Sequence, residues 1–252
     1  ILFFNLIFFY IKNLNKNVFF SKKNKNTCYW YSCKNCKIYT NPKLLGLHNF
    51  KLLQENPYSR RYHKSDLEFR EKYYLDKYKH ILDFVLKNKF KKFCEISADF
   101  GFLIDIIEKN DVNVLGIEPE KSFLENNKIN KSKIINKLFE DSIDEINLFS
   151  PEIISFSSCF RSIDPNALNG LNKLDLKYVI INEANELINH FNTGFNLFKK
   201  NDFFYKFKSF NYSSSDIISI MGQRGFTLDS IETIYFDKKV KSQYLTSFYF
   251  KV

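Results

Sequence analysis

Phe93-Cys94-Glu95-Ile96-Ser97-Ala98-Asp99-Phe100-Gly101-Phe102-Leu103-Ile104, followed after Asp111 by Val112-Asn113-Val114-Leu115-Gly116-Ile117-Glu118-Pro119, is the stretch that decides the fold. Phe93 to Ile96 is a short apolar run broken only by Glu95. Ser97 to Gly101 are small or turn-forming apart from Phe100, and Phe102, Leu103, Ile106 and Ile107 then recur at helical spacing. A second apolar run, Val112 to Ile117, ends on Glu118. The order is strand, tight turn, helix, strand. In such a βαβ unit the first turn lets a ligand approach the backbone, and the following helix presents free N–H groups. An acid closing the second strand can accept hydrogen bonds from both hydroxyls of a ribose. These residues outline a nucleoside-cofactor site.

Glu95-Ile96-Ser97-Ala98-Asp99-Phe100-Gly101 resembles the first motif of class I S-adenosylmethionine (SAM) dependent methyltransferases, an acid followed by three alternate glycines. Gly116-Ile117-Glu118-Pro119 resembles their second, whose acid holds the cofactor ribose. The chain departs from the pattern at two of the three glycines, which are Ser97 and Asp99; only Gly101 stands. Glycine serves there because its backbone takes positive φ and no Cβ obstructs the ligand. Ser97 adds little bulk and Asp tolerates the left-handed region, but Asp99 would set a negative charge beside the carboxylate of the cofactor's methionine part.

The resemblance extends along the chain by order of elements. Pro119 is placed to open a helix running to about Asn130. Lys133 to Leu138 reads as strand three, and Asp141 just beyond it matches an acid that bonds the adenine amino group in the family. Glu152 to Pro165 matches strand four and its loop, with Ser157 joining the expected cofactor contacts. Ser162 stands where the family's loop carries a His. Asn166 to Leu174 reads as a helix, Leu176 to Asn182 as strand five, and 184–201 as an insertion. Phe204 to Ser213 resembles a family element that again lacks its His, and Ser213 to Arg224 reads as a helix stopped by Gly225. Phe226 to Phe236 and Leu245 to Val252 are strands of a terminal antiparallel hairpin. The implied fold is α/β: a Rossmann-like, seven-stranded, mostly parallel sheet with a C-terminal antiparallel hairpin. Its implied cofactor is SAM, contacting Glu95, Ser97, Ala98, Asp99, Gly101, Glu118, Pro119, Asp141 and Ser157. No catalytic residue is assigned, because both histidines are missing and His is the natural general base near neutral pH.

Ahead of this domain, Asp66 to Lys89 reads as a helix with Leu67, Tyr74, Tyr78, Ile81, Leu82, Val85 and Leu86 on one stripe. Residues 28–65 form a linker that includes Cys33-Lys-Asn-Cys36, a spacing that lets two thiolates on a turn reach one Zn²⁺. The segment resembles the second half of the zinc ribbon that precedes the methyl-transfer domain in sugar C-methyltransferase relatives. The ribbon's first Cys pair is absent, so Cys33 and Cys36 are expected in a partial knuckle without a four-ligand cage. Cys28 and His48 are the nearest further donors. Pro57 to His63 sits where that family covers its cofactor cleft with an aromatic segment.

Residues 1–27 read as an extension outside the domain: Ile1 to Ile11 is apolar except for Asn5, and Lys12 to Asn26 is rich in Lys and Asn. Eleven residues fall short of the ~20 that span a bilayer, and the positive charges follow the apolar run, whereas a secretory signal has them before it. Opening on Ile1 is expected of a chain that begins within a longer reading frame, or of one whose first segment is not native. With 252 residues the chain can bury a full core. Its 29 Phe and 15 Tyr against 7 Gly accompany abundant Lys, Asn and Ile, a combination that suggests an AT-rich coding sequence. For the same reason the net charge of +10, spread through every segment among acids, reads as a solvated surface; a nucleic-acid groove would gather it. Five cysteines, an odd number without a secretory layout, fit a reducing compartment and a cytoplasmic location. The expected partner is a small polar molecule, with neither nucleic acid nor membrane. Three other readings compete: a methyltransferase-fold scaffold without turnover, an NAD-dependent dehydrogenase, and an RNA-binding domain using Tyr29, Trp30 and Tyr31. The dehydrogenase predicts neither the acid at Glu95 nor a closing hairpin.

Overall fold

The computed structural model describes residues 14–20, 27–33, 39–40, 64–121, 133–157, 159–160, 163, 166–184, 210–211, 214–235 and 244–252. Four short strands, β1 (Leu14–Phe20), β2 (Thr27–Cys33), β3 (Tyr39–Thr40) and β9 (Phe210–Asn211), form an antiparallel sheet in the order β1-β2-β3-β9. Strand β1 comes from the stretch read as an extension. Cys33 ends β2 opposite Leu14, and Cys36 lies outside the described residues, as do 41–63 and 185–209.

The main body is a seven-stranded sheet in the order β10-β11-β8-β7-β4-β5-β6. Its strands are β4 (Lys92–Ile96), β5 (Asn113–Ile117), β6 (Ile134–Ile135), β7 (Ile153–Ser157), β8 (Tyr178–Ala184), β10 (Thr227–Tyr235) and β11 (Tyr244–Lys251). Strands β6, β5, β4, β7 and β8 are parallel, and β11 runs antiparallel to both β8 and β10, so it is the one reversed strand. The expected fold and its terminal hairpin are both present. The hairpin and Glu95 in β4 also dispose of the dehydrogenase topology.

Strands in the middle of this sheet read as near-continuous apolar runs because both faces are covered. On one face lie α1 (Lys64–Lys87) and α2 (Phe102–Glu108), packing Tyr78, Ile81, Val85, Leu103, Ile104 and Ile107 against Phe93, Val114, Ile153 and Ile180. On the other lie α3 (Ile143–Phe149), a 3-10 segment (Ala167–Lys173) and α4 (Ser214–Gly222). They bring Ile146, Leu168, Leu171, Ile217 and Met221 against Cys94, Ile96, Ile154, Phe156 and Ile181.

Several boundaries differ from the sequence reading for local reasons. Strand three was expected over Lys133 to Leu138 but pairs only at Ile134 and Ile135, because Asn136 turns its Nδ2 back onto the carbonyls of Glu118 (2.8 Å) and Pro119 (2.9 Å). The helix expected over Asn166 to Leu174 is 3-10, in keeping with the poor helix formers Asn169, Gly170 and Asn172. Leu86, placed on the buried stripe of α1, is 39% exposed; the buried face runs through Tyr78, Ile81 and Val85. Of the helix expected after Pro119, 122–132 lie outside the described residues.

Candidate functional site

The turn after β4 is fastened to the end of β5: Ser97 N–H and Ala98 N–H both donate to the Ile117 carbonyl, at 2.8 and 3.1 Å. Gly116 makes this approach feasible, since a Cβ there would stand 3.0 Å from Ala98 Cβ and 3.1 Å from Ile134 Cγ1. Within the turn, φ is 64° at Ser97, 51° at Asp99 and 75° at Gly101. The three alternate positions of the resembled glycine motif are therefore all left-handed, two of them without glycine. The backbone keeps the shape that glycine would provide, at a strain that L-residues ordinarily avoid.

Glu118 is 3% exposed and stands against this turn. Its Oε2 accepts from Asp99 N–H at 2.9 Å and its Oε1 from Glu120 N–H at 2.8 Å. Burial pushes its carboxyl up to about 8, with the Asp99 charge adding to the shift and the two N–H donors opposing it. Glu95, 2% exposed on β4, is held well above the carboxylate range for the same primary reason, burial. The adjacent Ser157 hydroxyl pulls the other way, and Asp99 and Glu118 raise it further. Three acids thus converge on one turn, and the Asp99 charge adds to the weakening of Glu95 and Glu118 as acids. Glu95 Oε2 and Ser157 Oγ lie buried beside each other outside good hydrogen-bond geometry, and no other described residue meets either, so a ligand or water that met them would recover part of the cost of an unmet polar group.

The structure brings Glu95, Ser97, Ala98, Asp99, Gly101, Glu118 and Ser157 to the carboxyl edge of adjacent strands β4, β5 and β7. Pro119 follows, half-buried, with its carbonyl held by Asn136. Asp141 is exposed in the turn after β6, its N–H bonded to the Leu138 carbonyl. Glu152, the first residue of the stretch matched to strand four, lies at the opposite edge. There it accepts from Lys91 N–H and Lys177 Nζ, both at 2.5 Å, and so joins the starts of β4, β7 and β8. No group of His, Cys, Asp and Glu among the described residues could hold a metal ion. No described helix is long and apolar enough to cross a membrane.

Sequence reasoning missed His80. On α1, its Nε2 lies 2.8 Å from Ser247 Oγ and 3.3 Å from Asn182 Oδ1; Ser247 Oγ donates to Asn182 Oδ1 at 2.7 Å, and Asn182 Nδ2 donates to Ser155 Oγ at 2.9 Å. The signal was there in β8, where Val179-Ile180-Ile181 gives way to Asn182-Glu183, polar residues on a strand buried on both faces.

For a nucleoside cofactor bearing a methionine chain, the left-handed turn and the poorly met oxygens of Glu95 and Ser157 fit; the massed acids and the occupied oxygens of Glu118 oppose. No protein-family model and no curated protein sequence matches the chain. Solved structures do. Magnesium protoporphyrin IX methyltransferase (ChlM) from Synechocystis PCC 6803 with bound SAH superposes with a TM-score of 0.55 at 9% identity, covering 80% of this chain and 96% of that one. The plantazolicin methyltransferase BpumL in complex with SAH gives 0.52 at 12% identity, covering 81% and 93%. PH0226 protein from Pyrococcus horikoshii OT3 gives 0.52 at 12%, covering 80% and 98%. At such identities the likeness establishes the fold, an α/β methyltransferase fold.

Proposed function

We propose that this protein binds SAM and acts as a SAM-dependent methyltransferase on a small polar molecule such as a sugar derivative. The observation that carries this reading is the turn itself: Ser97, Asp99 and Gly101 all keep positive φ although two are not glycine. A left-handed conformation at non-glycine residues persists only where the surroundings impose it, and such strain gathers at ligand sites. Fold neighbours crystallised with SAH add support at the level of fold. In this reading Glu118 holds the ribose, Asp141 the adenine, and 97–101 the methionine end, with Glu95, Pro119 and Ser157 completing the contacts. The bound cofactor supplies a methyl group on a sulfonium. Transfer from it is helped chiefly by proximity and orientation, so the chain's part is to hold two reactants in line.

Calorimetric titration with SAM and SAH tests the proposal. Wild type is expected to bind both, and Glu118→Ala to weaken both about tenfold, the loss of hydrogen bonds to the two hydroxyls of a diol. No binding at millimolar concentration removes the reading; binding unchanged in Glu118→Ala relocates the site.

One observation favours a scaffold without turnover: both Glu118 oxygens are taken by backbone N–H groups in the unliganded fold, so a ribose must displace or share them. The same titration decides between the two. Kinship with sugar C-methyltransferases belongs to this proposal, resting on the Cys33 to Cys36 spacing. Metal analysis of the purified chain is expected to find no tightly held zinc, and one zinc per chain would show a complete cage.

A further inference from the structure

Strand β6 pairs with β5 only at Gly116 with Ile134 and at Ile117 with Ile135. Beyond that point a side chain takes over from the backbone. Glu118 N–H still donates to the Ile135 carbonyl at 3.0 Å, and in a parallel pair Lys137 N–H would then answer at the Glu118 carbonyl. Instead Lys137 N–H folds back onto the same Ile135 carbonyl at 3.1 Å, a three-residue turn. The Asn136 side chain makes the missing bond: its Nδ2 donates to the Glu118 carbonyl at 2.8 Å and to the Pro119 carbonyl at 2.9 Å. Both partners are acceptors, so the amide nitrogen has to face them.

The place held in this way is the exit of β5, where Glu118 sits. Every polar group of Glu118 has a partner: its N–H on Ile135, its carbonyl on Asn136, Oε2 on Asp99 N–H at 2.9 Å, and Oε1 on Glu120 N–H at 2.8 Å. The last bond requires the chain to bend at Pro119 so that Glu120 N–H returns to a carboxylate two residues earlier. Asn136 spans that bend, holding the carbonyls before and after the proline, which has no N–H of its own to give. Of the four partners, Ile135, Asp99 and Glu120 act through backbone atoms. Asn136 acts through its side chain, so a substitution removes its contribution by itself.

We propose that Asn136 is a positioning residue of the cofactor site, its amide holding the 118–119 backbone so that the Glu118 carboxylate stands against the 97–101 turn. Without that hold the peptide after Glu118 is free to rotate, its carbonyl turns to water, and the carboxylate leaves its buried place. A carboxylate that has to meet two hydroxyls of one ribose gains from being held beforehand, since less freedom is lost on binding. The role toward a ribose rests on the SAM-binding reading; the hold on Glu118 does not.

Two measurements on the full chain test this, and because Asn136 is itself exposed its removal leaves the core intact. In calorimetry with SAH, Asn136→Ala is expected to raise Kd about fivefold, the worth of about one hydrogen bond. Because that loss passes through Glu118, the double variant Asn136→Ala with Glu118→Ala should bind no worse than Glu118→Ala alone. The second measurement is a ¹³C titration of the Glu118 carboxyl, assigned by its loss in Glu118→Gln. Burial, with the Asp99 charge beside it, sets this carboxyl at about 8. In Asn136→Ala its midpoint should fall toward the ordinary 4.5 as the carboxyl gains water. Asn88→Ala is the control: Asn88 Nδ2 donates to the Phe84 carbonyl at 2.8 Å at the far end of α1, and its loss should move neither readout. The proposal is overturned by a Glu118 midpoint or an SAH affinity that Asn136→Ala leaves unchanged, by losses that multiply in the double variant, or by an equal response to Asn88→Ala. A wild type that binds no SAH, with a midpoint that falls in Asn136→Ala, removes the cofactor reading and keeps the hold on Glu118.

Discussion

Asp99 is where the site's two difficulties meet, since it combines a left-handed backbone with a charge that raises the neighbouring Glu118. Asp99→Gly relieves a left-handed L-residue, about 1–2 kcal/mol, and loosens the unfolded chain by roughly 0.4–1 kcal/mol. Stability should therefore be unchanged or rise by up to about 1.5 kcal/mol in urea unfolding. Affinity for SAM is expected to rise about tenfold, as one like charge beside the ribose acid is gone; weaker binding in the variant would mean that Asp99 contacts the ligand. Glu118 gives a pH prediction of definite sign. Its folded value of about 8 lies above the ordinary 4.5, so the folded chain keeps a proton that the unfolded chain releases. The stability this proton contributes is complete below about 4.5 and is lost as pH rises through 8. Unfolding free energy measured from pH 5 to 8.5 should fall, and Glu118→Gln should flatten that slope even if its stability is lower throughout. Identity and spacing made Glu95, Glu118 and Gly101 legible in the sequence. The positive φ at Ser97 and Asp99 was not, because neither residue demands it; the attachment of the turn to the Ile117 carbonyl imposes it.

Among elements, those with a strong period were legible and those decided by one side chain were not. The helix over Lys64–Lys87 follows from its apolar recurrence, and the strand at Ile153–Ser157 from an apolar run between Pro151 and a serine-rich loop. Strand β6 ends early because Asn136 caps the β5 carbonyl end, a long-range contact that no local pattern announces. The hydrogen-bond chain from His80 to Ser155 was hidden for a similar reason. Ser155, Asn182 and Ser247 look like isolated interruptions of three separate apolar runs, and only the strand order sets them side by side under His80. Alternation along one strand shows which face a residue occupies; it does not show which residues of distant strands share that face.

At the scale of the molecule, the order of elements carried the fold where individual motifs had decayed, because seven strands in sequence constrain topology more than two glycines do. That order has a mechanical consequence. Strand β11 lies inside the sheet between β8 and β10, so the sheet is not continuous until 244–251 are in place. Phe248 is fully buried there, pairs in register with Ile181, and stacks on Phe250 with centroids 6.4 Å apart. Phe248→Ala should cost about 3–5 kcal/mol by the lost burial and the cavity left behind, a large share of the roughly 5–15 kcal/mol that holds a domain folded. Ile231, on the edge strand β10 and 47% exposed, provides the contrast: Ile231→Ala should change stability by no more than about 0.5–1 kcal/mol. Urea unfolding of the two variants against wild type measures the difference. Equal costs would mean that β11 is a peripheral strand laid on a body already complete without it. A large cost at Phe248 alone would mean that the sheet closes through β11, and that the Asn182–Ser247 contact forms only when this strand is seated between its neighbours.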